Sequence, residues 1–132
     1  MRCRLDGCVA ALGLLLSPAL LPAHHSFEAE YDANKPITLV GIVTKFEWLN
    51  PHARFYLDAE DEHGNVTNWN LELASPNALI RRGWRRDSLK VGDRVTVNAS
   101  LAKDGSKIAN ATMVTFPDGH KVFAASGEAP AK

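Results

Sequence analysis

Beyond residue 8 the sequence contains no cysteine; Cys3 and Cys8 are the two in the chain of 132 residues. Everything after them therefore lacks disulfides, thiol nucleophiles and cysteine-based metal sites, and any stability must come from a packed core. Charge of either sign is not in excess, with 15 Lys and Arg against 15 Asp and Glu. A general nucleic-acid binder, basic over a whole face, is not expected from that balance. HExxH pairs, nucleophiles in a recognisable setting and carboxylates at a catalytic spacing are also missing, which leaves little support for an enzyme. No internal repeat is present.

Long apolar runs are missing too, except at the start. "MRCRLDGCVAALGLLLSPALLPA" (1–23) places Arg2 and Arg4 before an apolar stretch of about 9–21, followed by Pro22 and Ala23. This is the layout of a cleaved secretory signal, too short for a permanent bilayer anchor. Cleavage after Ala23 is the preferred site and after Ala19 the alternative. Cys8 precedes the apolar region, which argues against a lipoprotein box. Loss of 1–23 leaves a near-neutral mature chain, expected in the periplasm or medium, with no transmembrane segment.

What remains reads as one domain. "TLVGIVTKFEW" (38–48) is rich in β-branched and aromatic residues, with Val40, Ile42, Phe46 and Trp48 on one parity. It reads as a long first strand. "ARFYLDAED" (53–61) and "VTNWNLEL" (66–73) follow as strands two and three around the turn "EHGN". Ser75 as N-cap, Pro76 at the first helical position and Gly83 as the stop then predict a two-turn helix. Residues 94–101 read as strand four, "KDGS" (103–106) as a turn, and "KIANATMVTFPDG" as strand five, with "HKVFAA" as a short last pairing.

Three strands, one helix and two strands in about 85 residues is the order of a five-stranded OB-like barrel. The expected fold is thus all-β with one short helix, a small antiparallel barrel. Its divisions are the signal (1–23), an extended N-terminal segment (24–35), the barrel (36–125) and a loose tail (126–132).

The candidate chemistry starts at the expected cleavage point, "HHSFEAEYD". With Ala23 removed, His24 offers an α-amine and an imidazole to one metal ion. The amine has a pKa of about 7.7 to 8.0, so its deprotonation near neutrality is easy. Such a donor pair suits later first-row metals, copper highest. His25 adds a nitrogen, Glu28, Glu30 and Asp32 can orient the imidazoles, and His52 in "WLNPH" is the candidate ligand from the body of the fold. His52 falls in the loop between strands one and two, which borders the usual ligand face of an OB barrel. Adjacent histidines in an extended chain point opposite ways, so a plain polar lead is the competing account. His63 and His120 read as solvated turn residues.

A second cluster is "RRGWRR" (81–86), four guanidiniums around Trp84. With Trp48 and Asn50, the residues Trp84, Arg85 and Arg86 could hold a small anionic or glycan ligand or an acidic protein partner. The structural alternative has the arginines complementing a helix C-terminus and Trp84 plugging the barrel. Phe46, Trp48, Phe55, Tyr56 and Trp69 fall on the three strands of an OB binding face, half of them necessarily core.

The segments "HHSF", "WLNPH" and "SPNALIRRGW" resemble the recurring motifs of a family of small exported bacterial proteins known as a domain of unknown function. The resemblance covers nearly all of the mature chain and implies a signal peptide followed by one small β-barrel, with no established activity. The histidines it matches are His24, His25 and His52. The resulting expectation is an exported binding module, not an enzyme, with copper or another transition metal as cofactor. The alternatives are a non-metal binding module on the barrel face and a redox enzyme using an open metal position.

Overall fold

The computed structural model describes residues 27–126. Its elements are α1 (Phe27–Glu30), β1 (Tyr31–Glu47), β2 (Arg54–Glu60), β3 (Val66–Glu72), α2 (Pro76–Arg81), β4 (Arg94–Ala102), β5 (Ile108–Thr115) and β6 (Lys121–Phe123). The sheet runs β3-β2-β1-β4-β5-β6, and a further β3–β5 pairing closes it into a ring. That closing pair is parallel, Leu71 opposite Ala109, while the other pairs are antiparallel. A ring of five strands, with the helix between the third and fourth, is the OB arrangement expected from the order of elements. β6 extends it as a short sixth strand on β5.

The first strand serves two partners because it is long. Its early part pairs with β4 and its later part with β2, and Gly41 lies opposite both Val95 and Ala59. An added Cβ at Gly41 would sit 2.1 Å from the Asp58 carbonyl oxygen, so no side chain fits where the two neighbours meet. Leu39 and Val43 point into the core and Val40 and Ile42 out. The register then slips between Val43 and Lys45, and Phe46 and Trp48 pack against the core although they share the parity of Val40. A one-residue bulge turns the strand over.

Two differences from the sequence reading lie near the start. The segment 24–35, expected to be extended, holds one helical turn at Phe27–Glu30, a second helix where one was expected, and strand from Tyr31 onward. Helical spacing brings Phe27 onto Tyr31, ring centroids 5.6 Å apart, which an extended chain would not allow. α2 follows expectation: Ser75 Oγ accepts from the Ala78 N–H at 3.4 Å, Pro76 opens the helix, and Gly83 follows its end at φ 91°. Phe55, Leu57, Leu71, Leu79, Val97 and Trp84 form the centre of one continuous core.

Candidate functional site

Of the three candidate metal ligands, His24 and His25 lie outside the described residues. His52 stands in the loop 48–53, where Asn50–Pro51 is a cis peptide. Its Nδ1 lies 3.0 Å from the Leu73 carbonyl oxygen. A carbonyl only accepts, so Nδ1 carries a proton; in the neutral ring the lone pair is then on Nε2, the tautomer a metal-binding histidine needs. Among the described residues no three His, Cys, Asp or Glu side chains are grouped to hold a metal.

Beside His52 is a buried polar cluster that strand alternation does not announce. Glu72 is 5 % exposed, and its carboxylate accepts from Arg54 Nη2 and lies 3.9 Å from His52 Nδ1. Arg54 Nη1 also donates to Asn70 Oδ1 at 3.2 Å. Tyr31, buried at the start of β1, stands close enough to Glu72 to feel its charge. Burial, followed by the negative charge of Glu72, pushes the Tyr31 hydroxyl well above the usual tyrosine range.

The N-terminal segment is tied to this cluster from its other side. The Lys103 N–H donates to the Glu30 carbonyl at 2.9 Å, and Lys103 Nζ donates to the Glu28 carbonyl. α1 is thereby strapped to the β4–β5 turn. Glu30, Tyr31, Arg54, Lys103, Asp104 and Ser106 border a cleft of 410 Å³ there. It lies between the start of β1, Arg54 at the start of β2 and the turn after β4, a turn that borders the usual ligand side of an OB fold.

The second group of candidates divides. Trp48, Trp84, Arg85 and Arg86 line one cleft of 630 Å³ together with Ile80, Gly83 and Asp87. Trp84 is buried as its floor, with Nε1 donating to the Phe123 carbonyl at 3.0 Å. The plug account thus fits Trp84. Arg85 and Arg86 are exposed, and among the described residues neither guanidinium has a hydrogen-bond or ion-pair partner. Asn50 is exposed in the loop and is not part of this lining.

The chain matches the family of unknown function DUF6152 over residues 14–111. It belongs to that family. No curated protein matches the chain. Among solved structures it is similar to the mitochondrial single-stranded DNA binding protein Rim1 of S. cerevisiae, at 15% identity and a TM-score of 0.48. That match covers 63% of this chain and 94% of the other.

In this DUF6152 domain, Tyr31, Arg54, Glu72 and Lys103 are site residues that the sequence reading missed. A signal existed for two of them. The turn at 61–65 sets the β2–β3 register, which places Arg54 opposite Glu72. His63 and His120 are exposed residues at turns as expected, and His120 in addition stacks on Phe116 with centroids 4.3 Å apart and bonds Asp118.

Proposed function

We propose that this member of DUF6152 is an exported, periplasmic binding module that takes a copper-like transition metal at the barrel mouth. His24 would supply its α-amine and imidazole, His52 its Nε2, and His25 a further nitrogen. The observation that supports this reading is the convergence of two distant stretches of chain on Glu72. Tyr31, seven residues after His24, is buried within reach of that carboxylate's charge, and His52 stands 3.9 Å from it. His24 is three positions before Phe27, a reach of about 10 Å in an extended chain. Phe27 is itself held on Tyr31.

Calorimetric titration of Cu(II) into protein exported and processed by its own host, its N-terminus verified by intact mass, tests the reading. One-to-one binding is expected, with His24→Ala and His52→Ala each weakening it by more than about tenfold. One glycine placed before His24 should weaken it similarly, because the amine then leaves the chelate. Unchanged affinity in both histidine variants would sink the proposal.

A further inference from the structure

The cleft floored by Trp84 makes no use of the histidines, and its walls combine two kinds of surface. One is apolar. Trp48 stands edge-on to Phe46 at 5.8 Å and 77°, and Ile80 on the rim is 57 % exposed; Leu49, next to Trp48 in the chain and outside the lining, is 59 % exposed. The other is cationic. Arg82 turns inward, donating to the Ala125 carbonyl at 2.7 Å and lying over the Phe123 ring. Arg85 and Arg86 do the opposite: both face solvent at the cleft, with Asp87 the acid in the same lining.

Structural demand explains Trp84 and Arg82 and leaves Arg85, Arg86, Leu49 and Ile80 without a reason inside the fold. The whole chain is formally neutral, so this positive edge is a local feature against a balanced surface. An exposed aliphatic, an indole and solvent-facing guanidiniums in one lining, with a second exposed aliphatic next in the chain to the indole, is the composition of an interfacial membrane contact. A protein partner would call for a broad complementary patch of roughly 800 Å². Here the apolar side chains project singly from a loop and a helix end, which suits a fluid surface better than a rigid one.

We infer that this edge docks on an anionic lipid bilayer. Arg85 and Arg86 pair with lipid phosphates, Leu49 and Ile80 enter the acyl boundary, and Trp48 lies at the headgroup level. The inference is independent of the metal reading, since it uses neither His24, His25 nor His52.

Co-sedimentation of the purified protein with phosphatidylcholine vesicles, with and without phosphatidylglycerol, tests it. Binding is expected to the anionic vesicles only, to fall as salt is raised, and to drop by at least about tenfold in the double variant Arg85→Glu/Arg86→Glu. Leu49→Asp should weaken binding without altering the circular dichroism spectrum. Absence of sedimentation, equal binding to neutral vesicles, or an unaffected double variant would each overturn the inference. Retention on immobilised polyglutamate with no vesicle binding would overturn it in favour of an acidic protein partner.

Discussion

Glu72 organises the residues around it because a buried carboxylate must find donors. Arg54 supplies one, and Tyr31 and His52 stand close by. Tyr31 gives this arrangement a pH signature. Its folded-state pKa is raised above the value of about 10 for an unfolded tyrosine, so its contribution to stability is complete below pH of about 10. That contribution is lost as pH rises through the folded pKa. Tyr31→Phe should therefore be less stable than the wild type near neutrality by about 1 kcal/mol, the typical net worth of a buried hydroxyl's polar interaction. The gap should narrow as pH climbs above about 10, which urea midpoints across that range would check. A constant gap would mean that Tyr31 packs but does not titrate with folding.

At the scale of the element, β1 carries the most constraint. It must pair with β4, bend, and then pair with β2, and Gly41 is where both partners are present at once. Gly41→Ala should cost about 3 kcal/mol, the upper end for overpacking, because the obstacle is the Asp58 backbone and not a side chain that could turn away. Chemical denaturation measures this directly, and a loss under 1 kcal/mol would show that β2 can retreat. The bulge after Val43 matters in a different way. By turning Phe46 and Trp48 inward it sets the wall of the Trp84 cleft, and it leaves Val40 and Ile42 outside.

Across the whole molecule, one loop serves both candidate sites. Residues 48–53 contribute Trp48 to the cleft of the arginines and His52 to the cluster at Glu72. What holds the rest in place is closure of the ring, and Trp84 packs where the chain returns from α2 to the core. Its ring meets Phe116 at 5.6 Å and its N–H is bonded to Phe123, beyond β5. Trp84→Ala should lower stability by about 3–5 kcal/mol, a large share of what a domain of this size possesses, and the urea midpoint should fall accordingly. The same variant should also take away the floor of the lipid-facing cleft, so Arg85→Glu/Arg86→Glu is the cleaner probe of docking.

Local chemistry was enough to read much of this protein. Alternation in 53–61 and 66–73, the turns at 62–65 and 103–106, and the Ser75–Pro76 helix start each reflect interactions within a few residues, and the sequence of elements led from them to an OB-like barrel. Tertiary structure decided what depends on partners. Which parity of β1 faces inward changes at a bulge set by β2, and the polar-face residue Glu72 is buried because β1 returns past it with Tyr31. The arginine run shows the same limit most plainly: four identical guanidiniums within six residues are equivalent in sequence, yet Arg82 caps the Ala125 carbonyl while Arg85 and Arg86 face water. Side-chain type is a property of the residue, but burial and pairing are properties of what the closed barrel brings beside it.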